Sequence, residues 1–95
     1  MTAVGSRIGA FLDADKDGVK WLGWGKYVGD EVPPKTIGGF NTGRSNPKLE
    51  MDNGDVVWGC ECWWGDAEKM KGRLESYKKQ GWPLVETRIG DFRGD

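Results

Sequence analysis

Apolar and polar residues alternate on both sides of Asn53-Gly54, from Lys48 to Trp64, which is the pattern of a β-hairpin. Asn-Gly favours a two-residue type I′ turn, because that turn needs positive φ at both central positions. Such a turn sets Met51 opposite Val56 and Leu49 opposite Trp58. Period-two alternation then extends one face through Cys60, Cys62 and Trp64, which is expected to line the core of a hairpin unit at 47–64. The other face carries Lys48, Glu50, Val57, Gly59, Glu61 and Trp63 and is expected to be partly solvated.

A second strand is expected over VKWLGWGKYV, Val19 to Val28, rich in β-branched and aromatic residues. Trp24 shares a face with Lys20 and Lys26, so it is the tryptophan of this strand expected at the surface; a bulge at Gly23 or Gly25 would switch the phase. The period changes at Asp66. Met70, Leu74 and Tyr77 make an apolar stripe at i, i+4 and i+7, which predicts a helix over 67–80 with Asp66 at its N-cap and Gly81 at C′. Leu84 to Ile89 alternates again and reads as a return strand. The connection at 29–47 exceeds the usual dozen or so residues, and such loops are commonly functional. It holds Lys35, Arg44, Ser45 and Asn46 among glycines, a composition suited to an anion-binding nest; a solvated connection packed by Ile37 and Phe40 is the competing reading.

Composition narrows the picture. Ninety-five residues make one small domain with little core to spare for a deep cleft. A net charge of −1 gives no global pull toward nucleic acid or anionic membrane. No apolar run spans a bilayer and the N-terminus lacks a signal-peptide pattern, so a cytoplasmic setting is expected. Six tryptophans are the surplus that calls for explanation. Trp58 and Trp64 fit the core by alternation, with Trp21; Trp24, Trp63 and Trp82 are then the surface candidates.

Two motifs invite chemistry and fall short of it. Asp13, Asp15, Asp17 and Gly18 match the first half of a calcium loop, but the bidentate Glu due at the twelfth position is Trp24, so an Asp/Gly turn between two strands is preferred. Cys60-Glu61-Cys62 offers two thiols and the chain has no histidine, so one copy cannot complete a standard zinc site; small side chains in a core are preferred. No nucleophile motif, P-loop or dinucleotide fingerprint is present, and the expectation is a non-enzymatic protein with no cofactor and no metal.

The segments GWGKYVGDEVPP and NPKLEMDNGDVVWGCECWWG, within Val19 to Asp66, resemble a family of small uncharacterised proteins encoded by tailed phages. The resemblance implies a phage accessory protein, of the kind that often neutralises host components, including nucleotide signals of antiviral defence. It carries no residue roles. The expected fold is β-rich α+β, a small SH3-like half-open barrel with one amphipathic helix. The expected function is sequestration of a host nucleotide-type ligand, at a surface drawn from Trp24, Lys26, Lys35, Arg44, Ser45, Asn46, Glu61 and Trp63. Trp24 and Trp63 would stack, and Lys35, Arg44 and Asn46 would hold phosphate. The alternative is a protein-interaction module with the same tryptophans as hot spots on a host defence enzyme. Exposed indoles and a free strand edge would offer a surface for a homodimer or higher homo-oligomer.

Overall fold

In a computed structural model that describes residues 2–34 and 43–93, the chain is a strand-rich α+β unit. Its elements run β1 (Arg7–Asp15), β2 (Gly18–Glu31), β3 (Asn46–Met51), β4 (Val56–Trp58), a 3₁₀ turn (Gly59–Glu61), β5 (Trp63–Asp66), α1 (Ala67–Lys79), β6 (Leu84–Glu86) and α2 (Ile89–Arg93). The sheet order is β4-β3-β2-β1-β5, antiparallel throughout, with β6 added parallel to the first residues of β2. The sheet is open, since β4 and β5 do not pair. It is nevertheless curled. Laid flat, four strand spacings would separate β4 from β5 by about 19 Å. The chain joins them through one 3₁₀ turn and Cys62, a path of about 13 Å, so the two ends must bend toward each other.

Two apolar clusters occupy the two faces. The inner cluster holds Ile8, Ala10, Leu22, Leu49, Met51 and Val57, closed by Ile89 of α2. The outer cluster holds Phe11, Val19 and Trp21, with Met70 of α1 pressed on them. β2 serves both because its phase resets at Gly23, whose φ of +121° only glycine adopts easily. Ala10 opposes Gly23 but Phe11 opposes Trp21, so one extra residue sits in β2 at that point. Trp21 and Trp24, three apart, therefore share the outer face and meet edge to face with centroids 4.9 Å apart.

The hairpin forms where expected but with a different turn. Its loop is Asp52-Asn53-Gly54, closed by the Met51 N–H on the Asp55 carbonyl at 2.9 Å and the Gly54 N–H on the Met51 carbonyl at 2.9 Å. Only Gly54 has positive φ, so the two-positive-φ type I′ geometry is absent. Asn53 instead accepts the Asp55 N–H with its side chain. The longer loop moves the register by one residue: Leu49 opposes Val57 and Lys48 opposes Trp58. Val57, expected on the solvated face, is fully buried. The predicted strand to Trp64 also breaks at the 3₁₀ turn, after which Trp64 faces inward and stacks on Tyr27.

α1 matches its expected span to within one residue. Asp66 stands at the N-cap without a side-chain hydrogen bond. The C-terminus is a Schellman motif: the Gly81 N–H reaches the Lys78 carbonyl and the Trp82 N–H the Tyr77 carbonyl, with Trp82 stacked on Tyr77 at 5.3 Å. Trp82, a surface candidate by sequence, is the apolar partner of that cap. The return strand stops at Glu86, and Ile89 turns into α2 to plug the inner cluster. Among the described residues no helix is long and apolar enough to cross a membrane.

α1 crosses the outer face at one place, set by Met70. A Cβ on Gly9 would lie 2.7 Å from Met70 Cγ and 2.7 Å from Trp21, whereas one on Gly65 would lie 3.9 Å from the Met70 tip. Gly9→Ala is therefore expected to cost on the order of 1–3 kcal/mol in urea unfolding. Gly65→Ala, directly opposite in the ladder, is expected to stay within about 0.5 kcal/mol. Equal effects would show that α1 is not seated on Gly9.

Candidate functional site

The helix that packs on the outer face also sorts its tryptophans. Trp24 opposes Gly9, and Gly9 opposes Gly65, so Met70 lies across that row. Trp24 falls on one flank of α1 and Trp63 on the other. Trp63 opposes Phe11, which places both on the outer face with Cβ atoms about 5 Å apart. Its indole is 64% exposed, whereas the other five tryptophans are buried or half-buried. Trp24, expected at the surface, is half-buried against Trp21 because of the phase reset at Gly23. The two indoles cannot stack on one planar ligand with a helix between them.

Over Phe11, the strand partner of Trp63, stands a cation that the sequence pattern did not single out. The Arg73 guanidinium lies 5.7 Å from the ring centroid of Phe11, the residue paired with Trp63. Arg73 forms no ion pair among the described residues. Its flank of α1 is fixed by the opposite one, where Glu75 and Lys78 border a hollow with Val19, Trp82 and Leu84 toward β6. At 100° per residue, Arg73 and Lys69 then project toward β5. Helical position could have suggested Arg73, but nothing in the sequence says that Phe11 and Trp63 are neighbours.

The other expected site residues scatter. Lys26 is exposed on the same outer face as Trp24, opposite Arg7 and Glu50. Arg44 and Ser45 are exposed, and Asn46 donates its side-chain N–H to the Arg44 carbonyl at 3.1 Å. Asn46 opposes Glu31, whereas Trp63 lies in the row of Phe11 and Trp21. Ten residues of β2 separate those rows, a path of about 33 Å in a straight strand. The loop polar groups and Trp63 therefore do not converge. Lys35 lies outside the described residues, as do Ile37 and Phe40.

Glu61 was expected beside Trp63 on the solvated side and is instead an internal anchor. Its side chain is 1% exposed and takes two bonds from Arg93 of α2, at 2.6 and 2.7 Å, with the Trp58 N–H at 3.0 Å. Arg93 also reaches the Val56 carbonyl. The 3₁₀ turn, which breaks the alternation, directs this carboxylate inward.

A cleft of about 530 Å³ opens between β2, the hairpin tip and the β6–α2 segment. Trp21 and Trp24 line it with Asp52, Glu86, Asp91 and Arg88. Arg88 is bound in bidentate fashion by Asp55 at 2.6 and 2.7 Å, which holds the Asp55 carboxyl below its usual range. Arg7 is likewise clamped by Asp52 at 2.7 Å. A cleft whose walls carry three carboxylates and one committed arginine repels phosphate.

The aspartates of the Asp13–Gly18 stretch make a turn. Asp15 accepts the N–H groups of Asp17 and Gly18, and no group of three metal-ligating side chains occurs among the described residues. The thiols are free. Burial and the neighbouring Glu61 charge push the Cys62 thiol up to about 12, and burial raises Cys60 as well. Comparison with protein-family models, curated proteins and solved structures returns no match.

With its thiol pushed up to about 12, Cys62 holds far less thiolate than a free cysteine at neutral pH. A thiol-exchange reagent at pH 7.5 should accordingly count at most one fast thiol, Cys60, in the native protein and two after guanidinium. Two fast native thiols would contradict the inward placement of Cys62.

Proposed function

We propose that this chain is a non-enzymatic binding protein that sequesters a nucleotide-type ligand on the Trp63 side of its outer face. The carrying observation is that Trp63 alone of six indoles stands open, on the paired strands β1 and β5. Stacking of a base on an indole contributes about 1–3 kcal/mol and works for any base. The displaced ionisations each have a salt-bridge or hydrogen-bond partner or burial as a local cause, which also supports a binding role. The architecture is read as an SH3-like half-open barrel. Its support is the meander β1 to β4, the 3₁₀ turn, and a fifth strand that returns to β1. The likeness to phage proteins supplies the setting, an accessory or anti-defence protein acting in the host cytoplasm.

Isothermal titration against a panel of cyclic and linear nucleotides tests the reading. At least one member should bind at tens of micromolar or better, and Trp63→Ala should weaken it about tenfold or more. Arg44→Gln should leave it unchanged. No binding by any member of the panel overturns the proposal.

A second reading, an interaction module for a host protein, is favoured by one further observation. Leu12 borders both a groove with Val85 and Phe92 and the hollow beside Trp63, so the two hollows adjoin at an apolar residue. Val85 and Phe92 are 45% and 48% exposed. The outer edge of β5 also carries no strand among those described, which leaves a route to a homodimer. Under this reading one stoichiometric partner from host lysate is lost in both Trp63→Ala and Phe92→Ser. A partner retained by Phe92→Ser, or no partner at all, counts against it.

A further inference from the structure

Resting on the nucleotide reading, we infer that Arg73, with Lys69 one turn before it, is the phosphate-holding side of the Trp63 site. The loop residues expected to hold phosphate sit at the other end of β2, and the large cleft is acidic. A ligand stacked on Trp63 therefore needs its anion partner elsewhere. α1 supplies it by geometry alone. Met70 over Gly9, with Leu74 and Tyr77 following the same stripe, fixes the rotation of the helix about its axis. With Glu75 and Lys78 on the β6 flank, positions 69 and 73 fall on the β5 flank.

Three properties suit Arg73 to the task. Its guanidinium lies over the Phe11 ring at 5.7 Å, a contact that favours one placement of the side chain on this flank. It forms no carboxylate pair among the described residues, unlike Arg7, Arg88 and Arg93, which are each clamped. Its planar fork can take two oxygens of one phosphate. Lys69 is exposed on the same flank and adds a second positive charge. The outer-face residues of β5 are Trp63 and Gly65, so that strand puts no carboxylate against the ligand on this face.

The test compares a nucleotide that binds the wild-type protein with its own nucleoside, by titration calorimetry at low and high salt. Arg73→Gln should weaken the nucleotide about tenfold or more and flatten its salt dependence, while weak stacking of the nucleoside stays the same. Arg73→Lys should recover part of the loss, and an unchanged melting temperature in both variants shows that the fold is intact. If Arg73→Gln binds the nucleotide as tightly as wild type, or loses nucleotide and nucleoside equally, the inference falls and the Trp63 reading stands. If the wild-type protein binds no nucleotide, both fall together.

Discussion

The seating of one methionine on Gly9 organises the outer half of this protein. Met70 occupies the gap that Gly9 and Gly65 leave in adjacent strands, and no larger residue at position 9 leaves room for it. That contact sets the height of α1 over the sheet and its rotation. From the rotation follow the burial of Phe11, the placement of Arg73 and Lys69 toward β5, and the separation of Trp24 from Trp63. The exposed indole is thus the residue that the helix does not reach, at the margin of its footprint.

The inner half depends on a different device. A curled open sheet leaves its mouth uncovered, and α2 fills it with Ile89 while Arg93 reaches Glu61 and the Val56 carbonyl. A carboxylate this buried would be costly without its partner. Glu61 is supplied with two guanidinium donors and a backbone N–H, so its oxygens are satisfied. The same bonds tie together the end of β4, the 3₁₀ turn and the end of the described chain. A charged residue here works as a structural clasp.

Much of this was legible from the residues, for identifiable reasons. The helix was readable because a 3.6-residue stripe, a glycine stop and terminal charges agree. The hairpin was readable in place but not in register, since one extra turn residue moves every partner and its sequence is compatible with either loop. Glu61 was misplaced because strict alternation assumes an unbroken strand, and the 3₁₀ turn has no strong local signature. Trp24 was misplaced by the bulge at Gly23, which the sequence allowed without requiring. Trp63 was correctly placed at the surface by alternation. Arg73 was open to a helical-position argument, but its contact with Phe11 was not legible, because that neighbour lies 62 positions away in the chain, across the β1–α1 contact.

The phase reset at Gly23 has a mechanical side. β2 presents Leu22 to the inner cluster and, on either side of it, Trp21 and Trp24 to the outer one. It is also the strand to which β1, β3 and β6 all attach. A wall common to two rooms cannot be removed from one alone. Melting either cluster frees the strand on which the other is assembled, so the domain has no half that can open by itself, and a ligand held at its rim stabilises both halves at once.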